Sequence, residues 1–264
     1  MDRPGEPLVL VSRQGSLATL ELNRPDRMNA VSLDLYRALD RALGELGDEP
    51  DLRALVLTGA GRAFSVGADL DAHARGIEGE EGRRAYVQAA QDVAGRIQAL
   101  PQVVVAAAGG HAIGAGLELL LACDLSVVSE DAKYRFPELA LGTFVGAGVT
   151  RALLQRVGRT RAAELLFLAP MLSGRDALGL GLVNRAVPAA RVLPVAMSLA
   201  EDVARKAPAS VAAAKSLLGL AGHTPLDDVL RLEAEALLAC MRTADWREGI
   251  RAFQEERDPE FRGE

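Results

Sequence analysis

Residues 109–124 read GGHAIGAGLELLLACD, and they give the clearest indication of the fold class. It follows an apolar run at 103–108, which predicts a buried strand, and its leucines predict a short helix that begins near Ala115. A further strand is predicted at 125–129. A strand, a glycine-rich turn, a helix and another strand in succession indicate an α/β protein whose strands are covered on both faces.

Upstream segments continue this alternation. Residues 17–22 alternate apolar and polar side chains like a half-buried strand, and 52–58 form another apolar strand. Residues 32–46 predict a helix, because leucines recur at helical spacing behind Ser32, which is a suitable N-cap. A second helix is predicted at about 83–99.

The C-terminal part of the chain has a different character. From about residue 190 onward the sequence shows helical patterns and no convincing strand. These patterns lie at 192–206, 208–221 and 225–241. We therefore divide the chain into an α/β core at 1–190 and a helical region at 191–264. The apolar faces of that region could pack on the core or form a subunit interface.

Composition and charge exclude several classes of protein. The chain has 264 residues, of which 49% are hydrophobic and 25% charged, so it can bury a large core. A net charge of −6 argues against a nucleic-acid partner, which would require a basic surface. The two cysteines exclude a disulfide scaffold and favour a cytoplasmic location. The N-terminus shows no signal peptide, and the longest apolar run is shorter than the roughly 18 residues of a membrane span.

The turn before the short helix carries a candidate chemical site. The first N–H groups of a helix have no intrahelical partner, and they lie at the positive end of the helix dipole. The small residues Gly114, Ala115 and Gly116 would let an acyl oxygen approach these donors. Glu118, almost one turn later, would share the same opening. Two interpretations remain open: a catalytic carboxylate, or a first-turn Glu that faces solvent and is favoured by the dipole.

Glu138 is a second candidate carboxyl group. It follows an aromatic segment at 134–136 and precedes apolar residues, so burial would raise its proton affinity. Such a group suits an acid that works near neutral pH. The alternative is an exposed loop Glu that pairs with Arg135 or Arg151.

Other familiar site patterns do not occur in the sequence. The glycine-rich turns match neither the dinucleotide-binding G-x-G-x-x-G motif nor the phosphate-binding P-loop, and there is no G-x-S-x-G motif. His73, His111 and His223 lack metal-ligand spacing, and Asp69 and Asp71 are better explained as capping residues. No metal site is expected.

Several motifs, taken in order, resemble the enoyl-CoA hydratase/isomerase (crotonase) superfamily over essentially the whole chain. The matching stretches are LNRP at 22–25, NA at 29–30, GRAFSVGADL at 61–70, GHAIGAGLE at 110–118, CD at 123–124, FPE at 136–138, GAG at 146–148, GLGLVN at 179–184 and EG at 248–249. The resemblance implies a spiral of ββα turns with C-terminal helices that trimerise, as a trimer or a dimer of trimers. It also implies an acyl-CoA thioester substrate, with coenzyme A as part of that substrate and no tightly bound cofactor.

The resemblance further implies a set of site residues. The backbone N–H groups of Ala68 and Ala115 would form an oxyanion hole for the thioester oxygen. Ionised Glu118 would activate water for attack at Cβ, and protonated Glu138 would deliver a proton to Cα. The implied substrate-binding residues are Arg24, Arg27, Ala30, Val66, Gly67, Asp69, Leu70, Gly114 and Gly146. Arg262 is a further candidate for a coenzyme A phosphate contact.

The same resemblance is also compatible with functions other than hydration. An enoyl-CoA isomerase would need Glu138 alone as a proton shuttle, and other acyl-CoA lyase or hydrolase chemistries occur on this scaffold. A non-catalytic binding homologue is the remaining alternative. Residues 144–152 depart from the pattern of many relatives, in which a proline precedes the glycines, so the wall of the acyl pocket is expected to differ.

Overall fold

The expected alternation of strands and helices is present in a computed structural model of the protein, which describes residues 6–71 and 79–264. The strands are β1 (Val9–Gln14), β2 (Leu17–Leu22), β3 (Ala54–Gly59), β4 (Ala63–Ser65), β5 (Val103–Ala108), β6 (His111–Ile113), β7 (Leu125–Ser129), β8 (Tyr134–Arg135) and β9 (Arg185–Val187). One sheet has the order β1-β2-β3-β5-β7-β9, and a second has the order β4-β6-β8. Strands β1 and β2 pair antiparallel, and all other neighbours pair parallel.

Helices connect these strands and continue beyond them. In the described part of the chain they are α1 (Leu33–Gly47), α2 (Gly79–Ala99), α3 (Ala115–Ala122), α4 (Val149–Phe167), α5 (Gly174–Gly179), α6 (Ala189–Ala204), α7 (Pro208–Ala221), α8 (Leu226–Met241) and α9 (Ala244–Gln254). The predicted α/β fold with a helical C-terminal region is therefore confirmed. The first residues of the N-terminus and His73 lie outside the described residues.

Local sequence explains where α1 begins and how it is oriented. The Ser32 hydroxyl accepts the Leu35 N–H at 3.2 Å, which satisfies one of the free donors of the first turn. The fully buried Leu35, Leu39 and Leu43 recur along one face of the helix. This face packs in the main core with the inward side chains of the large sheet.

The predicted boundary at 190/191 falls inside α6. This helix buries Val192, Ala196 and Ala200 in a cluster with Val56 and Val105, so it covers the second face of the large sheet. In contrast, α7 and α8 have no buried residues in the single chain. The change in packing thus comes after α6, and the division into 1–190 and 191–264 stays a prediction.

The small sheet packs so closely against its neighbouring elements that two positions require glycine. A Cβ at Gly116 would lie 2.2 Å from the Ser65 carbonyl oxygen, and a Cβ at Gly110 would lie 2.1 Å from the Arg62 carbonyl oxygen. Both distances are impossible contacts, so only glycine permits this approach. As a result, the first turn of α3 lies directly on the end of β4.

Candidate active site

The segment after β4 is held by the backbone of Val31. Val31 N–H donates to the Gly67 carbonyl at 2.7 Å, and Asp69 N–H donates to the Val31 carbonyl at 3.0 Å. Because successive residues of an extended segment point their backbone groups to opposite sides, the Ala68 N–H points away from Val31.

The first turn of α3 lies on that other side. A Cβ at Gly67 would be 3.4 Å from the Ala115 nitrogen and 2.7 Å from the Ile113 carbonyl oxygen. Gly67 also has φ +92°, a conformation that favours glycine. Within residues 6–71 and 79–264, neither the Ala68 nor the Ala115 N–H donates to a protein acceptor. Two neighbouring free amides at the positive end of a helix suit an oxygen that develops negative charge.

Glu118 is buried beside these donors. It is 5% exposed, so the alternative of a solvent-facing Glu is wrong. One carboxylate oxygen, Oε1, accepts the Gly146 N–H at 2.8 Å. Burial raises the pKa of Glu118 to about 7, the Gly146 hydrogen bond opposes this rise, and the nearby charge of Glu138 adds to it. A carboxyl group that titrates near neutrality can act as a base on water.

Glu138 is also buried, at the start of the short 3-10 helix Glu138–Leu141. A Cβ at Gly114 would lie 2.6 Å from its Oε1, so this carboxyl group reaches the residue that precedes α3. Its Oε2 is enclosed and has no hydrogen-bond partner among the described residues. Burial raises the pKa of Glu138, while a hydrogen bond from its own N–H lowers it. A protonated Glu138 would be a suitable proton donor.

The exposed-loop alternative for Glu138 is wrong. Arg135 donates to the Ala169 carbonyl at 2.7 Å, and Arg151 donates to His223 at 3.0 Å. Neither arginine pairs with Glu138 among the described ion pairs. The carboxyl group therefore lacks the neutralising partner that would favour its charged form.

The predicted arginines occupy different environments. Arg24 is 6% exposed and forms an ion pair with Asp69 at 2.8 Å, whereas Arg27 pairs with Asp71 at 2.6 Å on the surface. Arg27 is thus better placed than Arg24 to reach a phosphate from solvent. Arg262 lies in the C-terminal tail, where its N–H donates to Asp245 at 2.7 Å.

The remaining predicted residues are distributed around the same segments. Ala30 is buried next to Val31, and Val66 N–H donates to the Met28 carbonyl at 3.2 Å. Leu70 is 60% exposed. A Cβ at Gly146 would lie 3.4 Å from Glu118 Oε2, which is an ordinary van der Waals contact, so Gly146 lies directly beside that carboxylate.

Sequence reasoning missed a pair of tyrosines behind the Val31 segment. The rings of Tyr36 and Tyr86 pack edge to face with centroids 5.4 Å apart, and the Tyr86 hydroxyl donates to the Val31 carbonyl at 3.4 Å. Burial raises the pKa of Tyr36, and the charges of Glu118 and Glu138 add to that rise. The sequence contains one indication of this pair, because Tyr36 adjoins the leucines that form the buried face of α1.

The described residues contain no group of three or more His, Cys, Asp or Glu that could hold a metal ion. Cys123 is buried among apolar side chains, and this burial raises the pKa of its thiol to about 12. Of the helices in residues 6–71 and 79–264, none is long and apolar enough to cross a membrane.

Comparisons with known proteins give matches over nearly the whole chain. The family model described as enoyl-CoA hydratase/isomerase matches residues 12–264. A relative from Thermus thermophilus that carries a provisional enoyl-CoA hydratase name is 40% identical over 94% of this chain and 98% of its own. The short-chain-enoyl-CoA hydratase of Clostridium acetobutylicum is 32% identical over 94% of this chain and 95% of its own. A crystal structure of enoyl-CoA hydratase from Bacillus anthracis superimposes with a TM-score of 0.93 at 34% identity, covering 97% of this chain and 100% of that one.

Proposed function

The chain belongs to the enoyl-CoA hydratase/isomerase family, and we propose that it adds water across the 2,3 double bond of an enoyl-CoA thioester. The observation that carries this proposal is the pair of buried carboxyl groups: Glu118 lies in the first turn of α3, and Glu138 reaches Gly114, the residue that precedes this helix. Coenzyme A enters as part of the substrate, and no step needs a bound cofactor or metal.

The two free amides would bind the thioester oxygen. In the proposed complex, the Ala68 and Ala115 N–H groups donate to this oxygen and withdraw electron density from Cβ. Their hydrogen bonds strengthen as the oxygen becomes an enolate, so they stabilise the transition state more than the ground state. Loss of one such donor typically costs about 2.7–4 kcal/mol of transition-state stabilisation.

The two carboxyl groups then divide the proton transfers. Ionised Glu118 accepts a proton from water as the water oxygen forms its bond to Cβ. The electron pair of the double bond moves onto the thioester as an enolate. When the enolate collapses, protonated Glu138 gives its proton to Cα. One water has been added, Glu118 is now protonated and Glu138 ionised, and a proton transfer between them restores the starting state.

The environment of Glu118 favours a hydratase over an isomerase. An isomerase needs one carboxyl group that removes and returns a proton, so it has no use for a second buried carboxylate. Here Glu118 is buried, oriented by the 2.8 Å hydrogen bond from Gly146, and brought near neutral pKa. Burying an unused charge in this way would be costly.

Crotonyl-CoA provides the direct test. The wild-type protein should remove the ultraviolet absorbance of the enoyl thioester, and mass spectrometry should find a product heavier by one water. Glu118→Gln and Glu138→Gln should each lower kcat by roughly 100-fold or more, because each removes one acid–base step, which contributes about 10²–10⁴. A product of unchanged mass would indicate an isomerase, and near-normal turnover in either variant would refute the assigned roles.

The surface implies two kinds of partner. We propose that Arg27 and Arg262 contribute to binding the coenzyme A phosphates, since the Arg27 side chain is partly exposed and Arg262 is exposed. We also propose a homo-oligomer, a trimer or a dimer of trimers, built on α8 and α9. These helices expose large apolar side chains, with Leu226 70%, Leu230 54% and Phe253 86% exposed. Exposed apolar surface of this extent on neighbouring helices is typical of an interface.

A further inference from the structure

We propose that the buried ion pair between Arg24 and Asp69 is a positioning device that aims the Ala68 N–H at the thioester oxygen. Arg24 and Asp69 would thus be positioning residues that do not touch the substrate. The inference rests on the proposed function, because it assigns a purpose to the amide of Ala68.

The ion pair is directly adjacent to the amide that it would control. Asp69 follows Ala68 in the chain, and its carboxylate Oδ2 lies 2.8 Å from Arg24 Nη2. The two side chains are 5% and 8% exposed. The other terminal nitrogen of Arg24, Nη1, donates to the Ala30 carbonyl. Any rotation of the Ala68 peptide unit would therefore displace the Asp69 carboxylate. That carboxylate is held by the planar guanidinium of Arg24, which is itself fixed by its second hydrogen bond.

Arg24 is itself anchored by the turn that contains Asn29. The Asn29 side-chain oxygen accepts the Arg24 N–H at 2.9 Å, and its amide donates to the Ala63 carbonyl at 2.8 Å. Both Met28 and Asn29 have positive φ, 49° and 56°, which is unfavourable for residues with side chains. A strained turn held by several buried hydrogen bonds indicates that the fold fixes this geometry.

The same turn also holds the segment before Ala68. The Ser65 hydroxyl donates to the Asn29 carbonyl at 2.8 Å, and Gly67 N–H donates to that hydroxyl at 3.3 Å. Ala68 is thus fixed through Ser65 and Gly67 on one side and through Asp69 on the other. Its own N–H is left without a partner in the described residues, pointing away from Val31.

A purely stabilising role explains these contacts less well. A buried ion pair often contributes no more to stability than apolar residues of similar size, because desolvation offsets the attraction. It does impose a defined distance and orientation, which apolar contacts do not. A catalytic donor must be held to within about 0.5 Å of its productive position, so orientation is what this position requires.

The test compares a double substitution of the buried ion pair with a single substitution in the exposed ion pair on the same two segments. The double variant Arg24→Leu/Asp69→Leu removes both charges together, so neither member of the pair stays buried without the other. The control variant Asp71→Leu opens the neighbouring ion pair with Arg27, whose partners are 32% and 63% exposed. Circular dichroism and thermal unfolding check that both variants fold.

Two readouts separate positioning from stability. The first is kcat and KM with crotonyl-CoA. The second is the infrared stretching frequency of the thioester carbonyl in bound butyryl-CoA labelled with ¹³C, which reports directly on the hydrogen bonds to its oxygen. Butyryl-CoA has no double bond to hydrate, so this measurement still tests the positioning role if crotonyl-CoA proves not to be a substrate.

We expect the double variant to lower kcat by about tenfold or more, approaching the roughly 10²–10³-fold effect of losing a donor outright, with KM changed only a few-fold. Its bound carbonyl should lose much of the shift to lower frequency that the wild type and Asp71→Leu both show. A folded double variant with wild-type carbonyl frequency would overturn the proposal, whatever happens to its melting temperature. Wild-type kcat in that variant would do the same.

Discussion

Glu118 must be ionised to act as a base, yet its surroundings oppose its charge. Burial raises its pKa to about 7, with a further contribution from the charge of Glu138. We therefore expect kcat/KM to rise as the pH increases through about 7, where Glu118 loses its proton. A pH–rate profile with crotonyl-CoA measures this acidic limb.

Replacing Glu138 should shift this acidic limb. In Glu138→Gln the neighbouring negative charge is absent, so the pKa of Glu118 should fall and the residual activity should extend to lower pH. The comparison uses the same assay, scaled to the lower rate. An acidic limb at the same pH in wild type and variant would show that the two carboxyl groups are not coupled.

The raised pKa of Glu118 also predicts a loss of stability with pH. Its folded pKa, about 7, lies above the unfolded value of 4.5. With respect to this group, the protein is therefore most stable toward unfolding below about pH 4.5, where Glu118 is protonated in both states, and this stability is lost as the pH rises through 7. At about 1.4 kcal/mol per pKa unit, the loss at pH 8 is about 3 kcal/mol. Glu118→Gln, which stays neutral, should avoid most of this loss.

Urea unfolding of both proteins at pH 5 and pH 8 measures the effect. The free energy of unfolding of the wild type should decrease more between these pH values than that of Glu118→Gln. Parallel changes in the two proteins would mean that Glu118 is not the group responsible.

At the scale of elements, the segments with strong periodicity could be predicted from the sequence. The strands at 17–22, 103–108 and 125–129 and the start of α3 at Ala115 are confirmed, because long apolar runs and glycine-rich turns leave few alternatives. The second helix was placed at about 83–99 and begins at Gly79. The first turn of this helix is polar and faces solvent, so the sequence shows no apolar periodicity there.

The short strands of the small sheet could not be predicted. Strands β4, β6 and β8 contain two or three residues each, which is too few for an alternating pattern. They exist because distant segments pair, as Ala112 does with Tyr134. Helix α4 was also missed, since Gly158 interrupts it with φ 69° and weakens its periodicity.

The approach of α3 to β4 gives a prediction at this scale. In Gly116→Ala the added methyl group would collide with the Ser65 carbonyl, so the backbone of α3 must move. We expect a loss of stability of about 1–3 kcal/mol or more and a lower kcat, because Ala115 moves with the helix. Urea unfolding and the crotonyl-CoA assay measure both.

The matched control is Gly95→Ala in α2. A Cβ at Gly95 would meet nothing within 4 Å, and the residue lies inside a helix. Alanine should therefore stabilise the protein by up to about 1 kcal/mol without changing kcat. Equal effects of the two substitutions would contradict the role assigned to close packing at Gly116.

At the scale of the whole molecule, the exposed apolar residues of the last helices predict self-association. Light scattering should give a mass that is a multiple of the 27.9 kDa of one chain. Phe253→Glu, at a side chain that is 86% exposed, should dissociate the assembly without unfolding the chain. Val11→Glu, at a residue of β1 that is 50% exposed, serves as the control. A monomeric wild type would refute the proposed interface.

The candidate site, like the fold, could be predicted only where the decisive contacts are local in the sequence. Glu118 and Ala115 are near neighbours in one helix turn, so their joint position follows from local geometry. Contacts between distant segments determine three other features: the environment of Glu138, the ion pair of Arg24 with Asp69, and the tyrosine pair. No local pattern encodes these contacts, although the family motifs mark where they form.

The most direct test of the proposed site is a crystal structure of the Glu118→Gln variant with crotonyl-CoA bound. We expect the thioester oxygen to lie about 2.7–3.1 Å from both the Ala68 and the Ala115 nitrogen. Residue 118 should then face Cβ, and the Glu138 carboxyl group should face Cα. A thioester oxygen bound away from these two amides, or an acyl chain that leaves either side chain out of reach of its carbon, would contradict the proposed mechanism.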